Sequence, residues 1–372
     1  MNGYYADWTT GTLAPEDIDW KVYDVINYAF AIPQSDGSVV LSAGTNSILQ
    51  RLVASAHAAG KRVVVSVGGW TGSAYFSTIV ADNTLRARFV SQLVALNNDN
   101  NLDGIDIDWE YPGTMGEAGN AVSPQDSANY IIFLRELRNA LPTGALITAA
   151  TQVWPFYGAN GAPMTDVSAF AEIFDWILIM NYDIWGSSST PGPNAPLSDG
   201  CNNSAQPKAN AHAAVAAWEA AGMPASKITL GVPGYGYLQI SSANHLSNRR
   251  RSDRFLRKRA DITLRNSEGG TTAGQINYNQ LVKQGALTQD SNGSYVGSSG
   301  FTRYWDSCSS TPWLKSTVSG QIVTYDDEES LRLKGQFAKE KGIRGCSIWS
   351  LDGEYLNGKF PLSQAARDGM GI

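Results

Sequence analysis

Histidine and cysteine are both scarce in this sequence, at three residues each among 372. His57, His212 and His245 stand far apart, and Cys201, Cys308 and Cys346 show no metal-ligand spacing. No metal site and no cofactor are therefore expected. No run of 18 apolar residues occurs, which excludes a helical membrane span. Charged residues make up only 17% of the chain and the net charge is −6, which argues against a nucleic-acid partner. No leader is visible. The chain enters a strand-like stretch at Gly3, so a mature form behind an added Met1 is expected.

The remaining composition is that of a folded protein, 43% apolar, with ample length for one large domain or two smaller ones. The 11 Trp and 16 Tyr are mostly core by default, but aromatic faces also suit sugar-binding clefts, where the C–H faces of pyranose rings stack on them. Cys201 and Cys308 lie in polar, loop-like surroundings and could pair, whereas Cys346 falls in an apolar strand and reads as a buried thiol. Asn202-Asn203-Ser204 and Asn292-Gly293-Ser294 are glycosylation sequons. Together these features favour secretion.

The chain is organised around residues 101–113. Between Leu102 and Glu110 apolar and acidic residues alternate strictly. Ile105, Ile107 and Trp109 fall on one face of a strand, and Asp106, Asp108 and Glu110 on the other. At roughly 3.3 Å rise per residue, successive acids on that face lie about 6–7 Å apart. Such a row repels itself, so at least one member holds its proton unusually late. A solvated face would explain clustered acids on its own. However, a strand whose other face is Ile, Ile and Trp belongs inside an α/β core, buried on both sides. Acids forced into such an interior suggest acid–base chemistry. Pro112-Gly113 stops the strand and leaves Glu110 at its C-terminal tip.

Seven further apolar strands are expected, at 3–8, 25–31, 62–70, 145–152, 174–183, 227–235 and 344–351. Helices are expected at 47–59, 83–96, 127–141, 210–221 and 328–341, several closed by glycine or proline. Eight strands alternating with helices make a (β/α)8 TIM barrel. Polar or aromatic residues recur at the strand ends, namely Trp70, Glu110, Gln152, Asp183, Tyr235 and Trp349. In this fold the C-terminal rim is where sites are built. One interval breaks the rhythm. Residues 237–323, between the seventh and eighth strands, read as turns with short apolar runs and are expected to form an inserted small α+β module. The barrel then comprises residues 1–236 and 324–372, about 285 residues against the usual barrel size of about 250. Within the insertion Arg249, Arg250, Arg251, Arg254, Arg257, Lys258, Arg259 and Arg265 form a basic run, read as a solvated face or flexible loop rather than a contact with an anionic surface.

Asp103-Gly104-Ile105-Asp106-Ile107-Asp108-Trp109-Glu110 matches the D-x-x-D-x-D-x-E signature of family-eighteen glycoside hydrolases, the chitinases. The resemblance extends through Ser66-Val67-Gly68-Gly69-Trp70, Met180-Asn181-Tyr182-Asp183 and Tyr325-Asp326-Asp327-Glu328-Glu329-Ser330 to Trp349-Ser350-Leu351-Asp352-Gly353. The inserted module sits where one branch of the family has its chitinase insertion domain, and the chain resembles fungal secreted chitinases of that branch. The resemblance implies a substrate-assisted, retaining mechanism. Glu110 would be the general acid, and Asp108 would orient the substrate's 2-acetamido group, whose carbonyl oxygen is the nucleophile. Asp106 would share a proton with Asp108, and Tyr182 would donate to the acetamido carbonyl with Asp183 alongside. Trp349 would floor the subsite of the distorted sugar. Tyr5, Phe30, Gly69, Trp70, Gln152, Met180 and Tyr235 complete the expected substrate-binding set, although Tyr5, Phe30, Trp70 and Tyr235 suit core packing equally well.

The implied partner is chitin or chito-oligosaccharides, without nucleic acid or membrane, and a monomer is expected. Two departures from the family pattern stand out. Tyr235-Gly236-Tyr237 replaces the common Tyr-Gly-Arg, which puts a sugar contact by that arginine in doubt, and Asn181 replaces Thr or Ala. Two other functions compete with the chitinase reading. One is a catalytically silent chitin-binding lectin, which typically lacks the terminal Glu. The other is an endo-β-N-acetylglucosaminidase acting on N-glycans, which usually lacks the inserted module.

Overall fold

Runs of β-branched residues at near-regular intervals become the strands of one parallel sheet. The computed structural model describes residues 1–187, 190–246 and 262–372. In chain order the sheet takes β1 (Asn2–Ala6), β2 (Val25–Pro33), β4 (Arg62–Gly68), β5 (Gly104–Asp108), β6 (Leu146–Thr151), β7 (Trp176–Ile179), β8 (Ile228–Pro233) and β16 (Gly345–Trp349), with β3 (Val39–Leu41) appended antiparallel to β2. The strand order is β1-β16-β8-β7-β6-β5-β4-β2, and pairing of β1 with β2 closes it into an eight-stranded barrel. Helices α1 (Ser47–Ala58), α2 (Phe76–Ala81), α3 (Asn83–Asp99), α4 (Asp126–Ala140), α5 (Ser168–Ala171) and α6 (Ala211–Ala220) lie between successive strands. Asp82 starts α3 by accepting the backbone N–H groups of Thr84 and Leu85, which have no partner inside the helix.

The described residues form two compact units. The first, Met1–Met180, Val215–Leu230 and Lys341–Ser347, holds the body of the barrel. Its register places Asp106 of β5 opposite Ser66 of β4 and Thr148 of β6. The alternation along β5 is buried on both faces, as its composition requires. Ile105 and Ile107 have no exposed surface, and Asp106 and Asp108 retain only 1% and 4%. Trp109 stacks on Phe76 at 5.2 Å between ring centroids and meets Tyr130 edge-on at 5.2 Å. From there an aromatic cluster continues through Phe133, Phe156, Phe170 and Trp218. The apolar face of β5 is thus anchored in a layer of rings. Asp103, at the foot of the strand, accepts from the Val63 N–H at 2.8 Å and lies 2.9 Å from His57 Nε2, so the first acid of the signature pins the strand rather than joining the acid row.

The second unit is Asn181–Ala214, Gly231–Glu340 and Ile348–Ile372. Between β8 and β16 in the chain it carries an antiparallel sheet of β9 (Tyr235–Ile240), β10 (Ala273–Asn277), β13 (Phe301–Asp306), β14 (Thr311–Ser316) and β15 (Gln321–Thr324), ordered β10-β9-β15-β14-β13. Helix α7 (Tyr278–Lys283) and the hairpin of β11 (Leu287–Gln289) and β12 (Tyr295–Gly297) complete the inserted module. Helix α8 (Glu328–Lys341) begins at Asp327, whose carboxylate accepts from the N–H groups of Glu329 and Ser330 while the Ser330 hydroxyl accepts from the Asp327 N–H. Cys201 and Cys308 form a disulfide, and Cys346 is a buried free thiol.

Several strands are shorter than expected, and two of these differences bear on the site. The run 174–183 is extended only over Trp176–Ile179, and Asp183 adopts a left-handed backbone with φ 60°. The run 227–235 stops at Pro233, and Tyr235 instead opens β9 of the inserted sheet. Gly234 makes the break possible, because a Cβ there would come 2.7 Å from the Ser350 carbonyl oxygen. The basic run lies outside the described residues except for Arg265, whose guanidinium donates to the Gly269 carbonyl at 2.9 Å. Among the described residues no helix is long and apolar enough to cross a membrane.

The ring layer beneath β5 makes Trp109 a stability determinant. Trp109→Ala is expected to cost about 3–5 kcal/mol, read as a lower midpoint in urea unfolding. An unchanged midpoint would show that the acid strand does not depend on this packing.

Candidate active site

The first unit carries the acid row. Asp106 is held from two sides. The Thr148 hydroxyl donates to Oδ1 at 2.5 Å and the Tyr4 hydroxyl donates to Oδ2 at 2.9 Å. Burial pushes the Asp106 carboxyl above its ordinary range, and these bonds pull it partly back. Asp108 has less support. Burial, then the charges of Glu110 and Asp106, hold its pKa well above the ordinary value. Its Oδ1 is buried without any hydrogen-bond partner. A buried, unsatisfied carboxylate oxygen is rare enough in folded proteins to require an explanation. Glu110 follows at 9% exposure. Its N–H donates to the Ser73 hydroxyl at 2.9 Å, and that hydroxyl donates in turn to the Gly69 carbonyl at 2.8 Å.

The glycine pair after β4 is required by close approach. Gly69 donates its N–H to the Asp108 carbonyl at 2.8 Å. A Cβ on Gly68 would sit 2.3 Å from that same carbonyl oxygen, and one on Gly69 would sit 2.8 Å from the Phe30 ring, both at positive φ. The chain after Glu110 is tied by Asp126, which is wholly buried and accepts from the Ser77 hydroxyl and from the N–H groups of Gly113 and Ser123.

Other expected residues of this unit divide by exposure. Trp70 is 49% exposed. Phe30 is half-buried and stacks on Trp8, itself 61% exposed. Gln152 is half-buried with its Nε2 buried and unbonded, and Met180 is half-buried. Tyr5 is a core residue. It is 1% exposed, stacks on Tyr28, and donates to the Leu13 carbonyl at 2.8 Å.

The second unit carries a tyrosine–aspartate cluster. Tyr235 and Tyr237 both donate to Oδ1 of Asp183, at 2.6 and 2.7 Å. Tyr182 meets Tyr235 edge-on at 6.3 Å. Asn194 fixes the backbone of the cluster, accepting from the Asp183 N–H at 3.0 Å and donating to the Tyr235 carbonyl at 3.1 Å. Asp183 keeps solvent access, yet desolvation by its surroundings raises its pKa against the donation of the two phenols. Asn181 points elsewhere, donating to the Pro196 carbonyl at 3.0 Å, and has no exposed surface. Trp349 is half-buried, and its carbonyl accepts from the Gly234 N–H at 2.7 Å. Asn202 and Asn292 are exposed. Among the described residues no group of three metal-ligating side chains is placed to hold a metal ion.

Tyr4, Thr148, Ser73, Asp126 and Tyr237 were not singled out by residue pattern as parts of these clusters. Thr148 had one usable signal, a hydroxyl in an otherwise apolar strand adjacent to the acidic one.

The model of one protein family, described as glycosyl hydrolases family 18, matches residues 1–354. The chain belongs to this family. Across family 18, a chitinase-like effector of Moniliophthora roreri is 36% identical over 388 residues, covering 99% of this chain and 92% of that protein. The crystal structure of a chitinase from Rhizomucor miehei matches with a TM-score of 0.83 at 32% identity, over 99% of both chains. A Group IV chitinase of Ostrinia furnacalis, solved in complex with allosamidin, matches with a TM-score of 0.81 at 25% identity, over 100% of this chain and 98% of that one. The barrel with its inserted antiparallel sheet is therefore the architecture of family-18 chitinases.

The raised pKa of Asp108 carries a stability consequence. Unfolded, the carboxyl ionises near its ordinary value of 3.8; folded, it ionises higher. The unfolded chain thus binds fewer protons than the folded one in that window, and stability falls as pH rises through it. Asp108→Asn is expected to stabilise the protein at pH 7, with the gain shrinking as pH falls toward 3.8. Melting temperatures of parent and variant at pH 4 and pH 7 measure this. Equal differences at the two pH values would contradict it.

Proposed function

We propose that this family-18 protein is an active chitinase. It hydrolyses β-1,4-linked N-acetylglucosamine chains with retention of anomeric configuration, using the substrate's own acetamido oxygen as nucleophile. The observation that carries the reading is the unbonded, buried Oδ1 of Asp108, two residues before Glu110. An acetamido N–H is a donor of the kind that oxygen lacks. Glu110 protonates the glycosidic oxygen. Asp108 orients the acetamido group and stabilises the positive charge developing on the oxazolinium ion. Asp106, held by Thr148 and Tyr4, exchanges a proton with Asp108 as charge moves along the row. Tyr182 donates to the acetamido carbonyl, Asp183 binds alongside, and Trp349 supports the distorted sugar. Trp70, Phe30, Gln152, Met180 and Tyr235 contribute to substrate binding. An internal nucleophile removes the need for a second carboxylate at the about 5 Å spacing of ordinary retaining glycosidases. The disulfide and the exposed sequon residues Asn202 and Asn292 support secretion.

A second reading is a catalytically silent chitin-binding protein. It is favoured by the Moniliophthora relative, whose name is chitinase-like effector rather than chitinase. Retention of the complete acid row favours the enzyme.

The deciding experiment compares hydrolysis of an N-acetylglucosamine oligomer by the parent and by Glu110→Gln, with products resolved by anomer. The chitinase reading expects β-anomer formed first by the parent. It also expects turnover about 10²–10⁴ lower in a variant that still binds the oligomer. A parent that binds the oligomer and cleaves nothing establishes the silent binder instead.

A further inference from the structure

Tyr237 has no part in the chemistry above, yet its hydroxyl both donates and accepts within the cluster around Asp183. Its hydroxyl donates to Asp183 Oδ1 at 2.7 Å and accepts from Gln275 Nε2 at 3.1 Å. Gln275 lies on β10 and Tyr237 on β9, which are register partners in the inserted sheet. Tyr235, on the same strand as Tyr237, donates to the same oxygen at 2.6 Å. Both phenols therefore load Oδ1, and among the described residues Asp183 Oδ2 has no hydrogen-bond partner. The groups facing Asp183 are Tyr182 beside it, Tyr235 and Tyr237 from β9, and Asn194 at its backbone. Among the described residues no lysine, arginine or histidine pairs with it. A carboxylate in a left-handed backbone pose, without a cation, is oriented only by what donates to it.

We propose that Tyr237, braced by Gln275, is a positioning residue for ligand recognition. It fixes the Asp183 carboxylate so that Oδ2 accepts a hydrogen bond from a hydroxyl or amide N–H of the bound amino sugar. This rests on the chitinase reading for the identity of the ligand, although the silent chitin-binder reading would use the same contact. It differs from a direct sugar contact by Tyr237, because the residue acts through the ionisation and orientation of Asp183. At the position where the family pattern has arginine, this chain uses a neutral donor, so among the described residues hydroxyl groups, not a cation, support the ionised form of Asp183.

The sign of the pH effect follows. Oδ2 accepts from the sugar only while Asp183 is ionised, so this contribution to binding is lost as pH falls through the Asp183 pKa. Removing a donor to the ionised form raises that pKa. Tyr237→Phe should therefore lose binding at a higher pH than the parent. Tyr237→Arg, which brings a cation, should lose it at a lower pH.

The test measures binding of the N-acetylglucosamine tetramer by calorimetry from pH 4 to pH 8, in a Glu110→Gln background that prevents turnover. The Asp183 carboxyl is titrated by carbon-13 NMR without sugar. Tyr237→Phe is expected to bind about tenfold more weakly near neutral pH. Its acid limb and its Asp183 titration should both move to higher pH. Gln275→Leu should move in the same direction by less, and Tyr237→Arg in the opposite direction, all at parental melting temperature. A Tyr237→Phe variant with parental affinity overturns the proposal, as does one that weakens binding equally at every pH while Asp183 titrates as in the parent. If the background protein binds no tetramer, the chitin-directed reading itself fails and takes the sugar contact with it. The NMR titration then still decides whether Tyr237 governs Asp183.

Discussion

A carboxylate moved out of water loses solvation that only a donor, a cation or a proton can replace, and the acid strand brings three carboxyl groups into that situation within five residues. The sheet around β5 answers this constraint. Thr148 comes from the adjacent strand on one side and reaches Asp106 because the parallel register sets the two opposite each other. Tyr4 reaches the same carboxylate from β1, which is not a sheet neighbour of β5. A closed barrel makes such a contact available, since strands apart in order can still share an interior. Asp108 receives no comparable support, so burial and the charges of Glu110 and Asp106 raise its pKa unopposed, and its Oδ1 stays unbonded. The asymmetry is chemically useful. One acid is satisfied by the fold, and the next is left for a ligand to satisfy.

Elsewhere the same problem is met differently. Asp326 is fully buried and paired with an equally buried Lys334, with the Ser330 hydroxyl also donating to it at 2.7 Å. That acid is neutralised by an internal cation and belongs to the scaffold of α8. Asp183 is held by two phenols, which donate without neutralising. Hydroxyl donors leave a carboxylate its net charge, whereas an ammonium ion offsets it. The choice of partner thus separates acids that stabilise the fold from acids kept available.

Much of this was legible in the residues. The alternation along β5 identified both its buried apolar face and its acid row, because period-two patterning is unambiguous when the two faces differ so strongly. The partners of the acids were not legible. Tyr4 and Thr148 look like ordinary strand residues until the register and the closure of the barrel bring them to Asp106. The ends of the sixth and seventh strands were overextended for a related reason. Met180 to Asp183 and Gly234-Tyr235 continue an apolar or aromatic pattern, while the backbone turns at Asp183 and Gly234 for reasons of contact that local composition does not carry. Tyr237 was noticed only as a missing arginine. Its bonds to Asp183 and Gln275 depend on the pairing of β9 with β10.

The disulfide joins residues 107 positions apart in the chain. Everything from the end of β8 to β13, including Tyr235, Tyr237 and Gln275, lies inside the covalent loop it closes. A single cut by a protease anywhere between Cys201 and Cys308 therefore cannot release a fragment, because both new ends stay attached through the sulfur bridge. In an oxidising medium rich in foreign proteases, the nicked protein would remain one molecule with its tyrosine–aspartate cluster still covalently tethered. Exposure to thiols would be needed before such damage became loss of a piece.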